Sequence, residues 1–160
     1  MEFEVVPINK EENINIILGQ SHFIKTVEDI YTTLKVHLPG SNFSVSFCEA
    51  SGDRKIRYEG NDNELIKFTN EIARSIGAGH SFVIAIKNGY PISVLTELKM
   101  LPEVCRIYAA GGNPMKVIVA EEGDQRAVLG VFDGFTPLGI ETGDEIAKRR
   151  EFLVKIGYKL

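Results

Sequence analysis

His80 is the residue whose type and setting best suit chemistry, because it follows Gly77-Ala78-Gly79 and precedes a long apolar segment. An imidazole titrates near neutral pH, and its neutral form offers a nucleophilic nitrogen. Glycine has no Cβ, so a ligand can approach the backbone beside His80 closely. A plainer alternative stays open, in which the glycines only form a turn and the histidine only hydrogen-bonds a neighbouring carbonyl group.

The segments on either side predict how this histidine is positioned. Asn63 to Ser75 carries apolar side chains at helical spacing, and Asn61, Asp62 and Asn63 are candidates for its N-cap. Gly77 or Gly79 suits the left-handed conformation that ends a helix. Phe82 to Ile86 is an unbroken apolar run, typical of a strand buried on both faces. We therefore expect His80 to lie at the mouth of a buried strand.

Polar residues also lie beside glycine in three loops that follow other predicted strands. Loops at strand ends often form ligand sites, so these three would make a cleft if they gathered at one rim of the sheet. The alternative is that they are only the turns that any sheet needs. The candidate binding residues in these loops are Glu49, Asp53, Arg54, Asn113, Asp133 and Gly134.

The order of the predicted elements indicates one domain over residues 1–160 with an α/β (α+β) fold, in which helices pack on a mixed β-sheet. Helices are expected from Thr26, where Asp29 completes a capping-box pattern, and over residues 63–75, 93–101 and 144–156. The predicted strands cover residues 3–7, 14–18, 43–48, 55–58, 82–86, 104–110, 116–121 and 127–132.

Composition argues against several classes of partner. The net charge of −4 is unfavourable for nucleic-acid binding driven by counterion release. The chain has no apolar run long enough to span a membrane, and its first residues do not resemble a signal peptide, so we expect a cytoplasmic protein. Cys48 and Cys105 lie in apolar segments and are expected to be buried free thiols. Two cysteines and three scattered histidines predict no metal site.

Several segments, taken together over nearly the whole chain, resemble one known family. They are Gly19–Asp29, Glu49–Arg54, Ile76–Val83, Asn113-Pro114, Val117–Glu121, Leu129–Gly134 and Ile156–Tyr158. The chain resembles the adenosine-specific kinases, small prokaryotic proteins formerly grouped as a domain of unknown function. The resemblance implies an α/β fold, binding of adenosine and AMP rather than ADP or ATP, and a histidine that carries a phosphoryl group.

We assign that phosphoryl-accepting role to His80, with His22 as the alternative. Successive backbone N–H groups around Gly77 and Gly79 would hold phosphoryl oxygens. Lys25 or Arg54 would neutralise charge in a loose phosphoryl-transfer transition state. The expected ligand is adenosine or AMP, and no other cofactor is predicted.

Three functional hypotheses remain open at the level of the sequence. The first is a phosphotransferase, an adenosine-specific kinase that acts through His80. The second is a sensor that binds adenosine or AMP without catalysis, which the absence of a triphosphate-binding motif slightly favours. The third is an assembly protein whose strands pair across a subunit interface. We also expect a homo-oligomer.

Overall fold

The chain folds into eight β-strands and four α-helices, which a computed structural model describes over residues 1–160. The strands are β1 (Glu2–Ile8), β2 (Ile14–Ser21), β3 (Asn42–Cys48), β4 (Ile56–Gly60), β5 (Ser81–Lys87), β6 (Val104–Gly111), β7 (Met115–Glu122) and β8 (Gln125–Asp133). The helices are α1 (Thr26–His37), α2 (Asn63–Ile76), α3 (Leu95–Met100) and α4 (Gly143–Lys155), and a 3-10 turn at Pro91–Ser93 precedes α3. Every predicted helix and strand is present.

The strands form two sheets, and all neighbouring strands pair antiparallel. The larger sheet has the order β4-β3-β5-β2-β6 and the smaller one the order β1-β7-β8. β5 is central and all but its last residue are buried, as its continuous apolar sequence predicts. The α/β (α+β) fold with helices packed on β-sheet is confirmed.

Two apolar clusters cover the two faces of the five-stranded sheet. One lies between this sheet, helix α2 and the inner face of the three-stranded sheet, where Leu18, Ile76 and Val117 meet. The other lies under α1 and α3, where Ile30, Ile84 and Leu98 are fully buried. Burying side chains of this size contributes about 1.5–3 kcal/mol each, so these two clusters hold the layers together.

Helix α2 begins and ends as its sequence predicts. The Asp62 carboxylate accepts hydrogen bonds from the backbone N–H groups of Glu64 and Leu65 and is the N-cap. Gly77 adopts φ +60° as the C-cap, and its N–H donates to the carbonyl oxygen of Ala73. The backbone bond from Leu65, with that from Glu64 and the Asn42 amide, lowers the pKa of Asp62 despite some burial. The end of α2 is therefore fixed three residues before His80.

Replacing Asp62 by alanine is expected to lower the free energy of unfolding by about 1 kcal/mol, because the first turn of α2 loses its acceptor. Urea denaturation followed by circular dichroism would measure the change. Asp53→Ala is the matched control, since that exposed aspartate caps no helix and has no ion-pair partner. An unchanged midpoint for Asp62→Ala would contradict the capping role.

Two local predictions are wrong. Thr26 and Asp29 do not form a capping box, because Lys25 occupies the N-cap position of α1 without a side-chain cap. The Thr26 hydroxyl instead bonds Ser21 Oγ at 2.7 Å and the carbonyl oxygen of Phe23, and Asp29 pairs with Lys25 at 3.0 Å. Both cysteines are free as expected, but only Cys48 is buried and Cys105 is exposed on the edge strand β6.

Helix α4 stands apart from the rest of the chain. Its N-terminus has a complete capping box formed by Thr142 and Glu145, and Arg149 forms a two-fold ion pair with Glu141. None of its residues is buried. None of the four helices combines the length and the apolar composition that crossing a membrane requires.

Candidate functional site

One end of the five-stranded sheet collects the candidate catalytic residues. Because β5 runs antiparallel to both β2 and β3, its first residues lie beside the last residues of those strands. His22 follows β2, Glu49 follows β3, and His80 precedes β5. The sheet topology therefore brings together three residues that are far apart in the sequence.

The backbone of His80 is held in an unusual conformation by its neighbours. Its φ angle is +65°, in the left-handed region that L-residues other than asparagine, aspartate and histidine rarely occupy. Its N–H donates to the carbonyl oxygen of Cys48 at 2.7 Å, and its own carbonyl oxygen accepts from the N–H of Ser21 at 2.9 Å. Such conformations persist where the surrounding structure fixes them, and they cluster at functional sites.

The imidazole ring of His80 lies between an aromatic ring and a carboxylate. It stacks on Phe47, with ring centroids 5.9 Å apart and planes within 8° of parallel. Nε2 lies 4.0 Å from Glu49 Oε1. This distance is too long for a hydrogen bond, so the carboxylate acts on the ring through its charge. A small approach of the two groups would let Glu49 accept the proton of Nε2 and leave the lone pair on Nδ1. The His80 ring thus has an aromatic ring against one face and a carboxylate near its Nε2 edge.

Glu49 is itself firmly positioned. Its Oε2 pairs with Arg57 Nη2 at 3.2 Å, and its Oε1 accepts from the backbone N–H of Ala50 at 3.0 Å. Arg57 also donates to the carbonyl oxygen of Ile24 at 3.0 Å. The Arg57 guanidinium therefore links the loop before α1 to the carboxylate that faces His80.

His22 and His80 line one cavity of about 530 Å³, which we call the histidine cleft. The imidazole of His80 is 37% exposed, so it is accessible from this cleft. The other lining residues are Phe23, Ile24, Phe47, Glu49, Ser51, Gly52, Asp53, Arg54, Lys55 and Arg57. The structure thus brings the predicted residues His22, Glu49, Asp53, Arg54 and His80 together.

Three cations line the histidine cleft against two carboxylates. Arg57 is paired with Glu49, and Arg54 forms an exposed pair with Asp124 at 3.2 Å. Lys55 forms neither an ion pair nor a side-chain hydrogen bond, so its ammonium group is free to meet a ligand. Exposed pairs such as Arg54–Asp124 contribute about 0–1 kcal/mol and exchange readily for a stronger partner. The cleft suits a small anion on electrostatic grounds.

A second cavity of about 830 Å³, the arginine cavity, adjoins the histidine cleft and shares Glu49, Asp53 and Arg54 with it. Gly77 and Gly79 line this second cavity rather than the cleft. The β7–β8 hairpin closes one side of it, because Arg126 donates to the carbonyl oxygen of Ser75 at 2.9 Å and also binds Glu4.

Four predicted binding residues lie outside both cavities. Asn113, Asp133 and Gly134 do lie together, since Gly134 N–H donates to the carbonyl oxygen of Pro114 at 2.9 Å. They are at the other end of the sheets, because Gly111 pairs with Ile16 rather than with the last residues of β2. Lys25 is exposed and its ammonium group is engaged by Asp29. The three loops therefore do not gather at one rim.

Sequence reasoning missed seven residues that line the histidine cleft, among them the cations Lys55 and Arg57; the others are Phe23, Ile24, Phe47, Ser51 and Gly52. A signal for the two cations existed. Lys55 and Arg57 flank Ile56 at the period of two that places side chains on one face of a strand. The sequence does not show which strand pairs with β4. It therefore does not show that the face shared by Lys55 and Arg57 borders a cleft.

Glu103 is a buried acid beneath the His22 loop. Its carbonyl oxygen accepts from the N–H of His22 at 3.1 Å and from the hydroxyl of Ser21 at 3.0 Å. Burial raises the pKa of Glu103, and the neighbouring Asp29 raises it further. Burial also acts to raise the pKa of Asp29, but hydrogen bonds to Glu103 and Lys25 outweigh it and lower that pKa. Of these two carboxyl groups, Glu103 is therefore the one that more readily holds a proton.

Stability is expected to fall as the pH rises above the ordinary Glu103 pKa of 4.5, relative to a Glu103→Gln variant. A raised folded pKa means that the native state binds more protons than the unfolded state, so the stabilisation present at low pH is lost on deprotonation. The lowered pKa of Asp29 has the opposite effect on stability, because its contribution is lost as the pH falls. That loss occurs only below the ordinary Asp29 pKa of 3.8, outside the pH range of this test. Urea denaturation from pH 4 to pH 8 measures the difference, and parallel curves for the two proteins would contradict it.

The fold and this geometry define a single-domain α+β protein with a cation-rich histidine cleft at one end of its larger sheet. The family model described as "Adenosine specific kinase" matches residues 6–159. The chain belongs to this family.

The solved structures that resemble this chain include one that matches the whole fold. The crystal structure of the PH1918 protein from Pyrococcus horikoshii OT3 is 46% identical in sequence, covers 99% of this chain and 98% of that chain, and superposes with a TM-score of 0.95. A comparison with curated proteins gives no match.

Proposed function

We propose that the protein binds adenosine or AMP in the histidine cleft and transfers a phosphoryl group through His80, as an adenosine-specific kinase. One observation carries the proposal. The accessible imidazole of His80 lines a cavity of about 530 Å³ whose lining also includes Arg54, Lys55 and Arg57. Family membership supports a nucleoside as the ligand.

The lining of the cleft supports a division of roles around AMP. Arg54 and Lys55 bind phosphoryl oxygens, where guanidinium and ammonium groups neutralise the charge of the transferring group. The exposed side chains of Phe23 and Ile24 supply an apolar lip for the adenine ring. A cavity of this size falls within the range of about 300–1,000 Å³ that small-molecule sites occupy.

The proposed reaction has two steps. The Nδ1 lone pair of His80 attacks the phosphorus of a phosphorylated donor, the Nδ1–P bond forms, and the bond to the leaving oxygen breaks with its electron pair. The 5′-hydroxyl oxygen of adenosine then attacks phosphorus, and the Nδ1–P bond breaks with its electron pair returning to nitrogen. Asp53 lines the cleft without an ion-pair partner and accepts the hydroxyl proton. Glu49 stabilises the positive charge that develops on the imidazole ring.

Calorimetric titration with adenosine, AMP and ATP tests the binding part of the proposal. The wild type is expected to bind adenosine and AMP but not ATP. Lys55→Met is expected to weaken AMP binding more than adenosine binding, because only AMP presents a phosphate. Lys67→Met is the matched control, an exposed lysine on α2 outside the cleft. Equal affinity for all three ligands, or none for any, would sink the nucleoside assignment.

His22 is the alternative phosphoryl acceptor, since it lines the same cleft and is more exposed than His80. A sensor that binds adenosine or AMP without turnover is the alternative function, and the absence of a triphosphate-binding motif favours it. The sensor hypothesis expects AMP binding together with no adenosine-dependent release of phosphate from any donor.

We also infer that the protein forms a homo-oligomer. Assembly of subunits and nucleoside binding would then be two properties of the same protein. The supporting observation is the C-terminal segment, where Leu138, Ile140 and Phe152 are exposed apolar side chains. Exposed apolar side chains that are grouped in one segment often mark an interaction surface. Light scattering coupled to size-exclusion chromatography measures the mass directly, and a monomer at every concentration would contradict the inference.

A further inference from the structure

We propose that the C-terminal arm of one copy, residues 135–160, covers the outer face of the three-stranded sheet of a second copy. This rests on the homo-oligomer inferred above and specifies the two surfaces that meet. Each of them is an apolar surface that its own chain leaves uncovered, and one is a helical segment while the other is a sheet face.

The arm carries several large apolar side chains, between its charged residues, that its own chain leaves uncovered. Leu138 and Ile140 are 104% and 97% exposed, and Phe135 is 88% exposed. Phe152 and Ile156 in and after α4 are more than half exposed as well. The arm contributes nothing to either apolar core cluster of its own chain.

The sequence of helix α4 favours a helix, but the helix is marginally stable unless it packs on another surface. Its capping box supplies acceptors for the first turn, which favours a helix at this position. Isolated helices shorter than about 12–15 residues are marginal in water, however, and most helical stability in proteins comes from packing. At 13 residues with no buried side chain, α4 requires a surface to pack on.

The three-stranded sheet offers such a surface. Phe3 lies opposite Ala120, and Val5 lies opposite Ile118, so these four side chains share one face. The alternate residues Val6, Val117 and Val119 point to the core and are buried. Phe3 and Val5 are 68% and 49% exposed, which makes this outer face an uncovered apolar surface.

The outer face is exceptional within the molecule, because both faces of the five-stranded sheet are covered. Helix on sheet is the standard way to bury such a face. The arm also has a suitable size, since a stable interface takes roughly 20–30 residues from each partner, and residues 135–160 fall within that range. A second copy supplies the arm, because α4 packs extensively against no element of its own chain.

Three double substitutions test the proposal in the full chain. Leu138→Lys with Ile140→Lys alters the arm, and Phe3→Lys with Val5→Lys alters the sheet face. Ile92→Lys with Met100→Lys is the control, since these side chains are 73% and 77% exposed on the α3 side of the molecule. All six side chains are exposed, so the monomer fold is expected to survive, and circular dichroism verifies it.

Sedimentation velocity is expected to give an oligomer for the wild type and the control, and monomers for the arm variant and the sheet variant separately. Mixing the arm variant with the sheet variant is expected to restore association, because the mixture contains one intact arm and one intact sheet face. A wild-type monomer would overturn both the oligomer and the docking. A wild-type oligomer with variants that remain associated, or a mixture that stays monomeric, would overturn the arm-to-sheet contact alone.

Discussion

Replacing His80 by asparagine is expected to abolish phosphoryl transfer to adenosine, lowering the rate by at least about a thousandfold, as the removal of a nucleophile does. The reason is chemical, because the carboxamide has no nitrogen lone pair that can accept a phosphoryl group. The variant is expected to retain nucleoside binding, since Arg54 and Lys55 remain in the histidine cleft.

Asparagine is the appropriate substitution because it tolerates the left-handed backbone that His80 adopts at φ +65°. The two backbone hydrogen bonds to Cys48 and Ser21 are therefore kept. His37→Asn is the matched control, because His37 is exposed to a similar degree and lies at the end of α1, away from the cleft.

His22→Asn separates the two candidate acceptors. His22→Asn is expected to lower the rate of phosphoryl transfer far less than His80→Asn does. The reason is that the Glu49 carboxylate lies near the His80 ring and not near the His22 ring. Transfer that survives in His80→Asn and disappears in His22→Asn would move the phosphoryl acceptor to His22. A steady-state assay of AMP formation distinguishes these results.

Replacing Gly19 by alanine is expected to lower the free energy of unfolding by about 3 kcal/mol, the upper range for overpacking a filled core. A Cβ at this position would lie 2.3 Å from Phe82 Cζ and 2.8 Å from the carbonyl oxygen of Arg106. The Phe82 ring is fully buried and the second atom belongs to the backbone of β6, so neither can move freely. The strain would act on β2, three residues before His22.

Gly130→Ala is the control for this experiment. Gly130 lies in a strand of the other sheet, has no positive φ angle, and has no atom within 4 Å of the added Cβ. The free energy of unfolding of the Gly130→Ala variant is expected to stay within about 0.5 kcal/mol of the wild-type value, as for most surface substitutions. Chemical denaturation of both variants gives the comparison, and equal midpoints would show that the close packing around Gly19 is relaxed in solution.

The helices and strands follow from local sequence, because periodicity and end signals act over short distances. Asp62 and Gly77 mark the ends of α2, and the apolar run from Phe82 marks a strand buried on both faces. The capping box at Thr26 fails because the Thr26 hydroxyl is engaged by Ser21 and by the carbonyl oxygen of Phe23, both in the turn before α1.

The candidate site is predictable only in part, because it depends on which strands pair. Glu49 and His80 meet through the pairing of β3 with β5, which no local pattern specifies. The same uncertainty explains why the sequence wrongly predicts Asn113 beside them. Its loop follows β6, which runs antiparallel to β2, so the loop emerges at the opposite end of the sheet from His22. Long-range register, rather than residue type, decides which polar loops become neighbours.

The most direct test of the account is to phosphorylate the protein chemically with phosphoramidate, remove the reagent, and add adenosine while following phosphohistidine by ³¹P NMR. We expect phosphohistidine at His80, assigned by mass spectrometry and by its absence in His80→Asn, and the loss of this signal on adding adenosine with formation of an equal amount of AMP. Phosphate that the reagent places on the exposed His22 and His37 is expected to remain. A phosphorylated His80 that adenosine leaves unchanged, or a protein that acquires no phosphate on His80, would contradict the proposed mechanism.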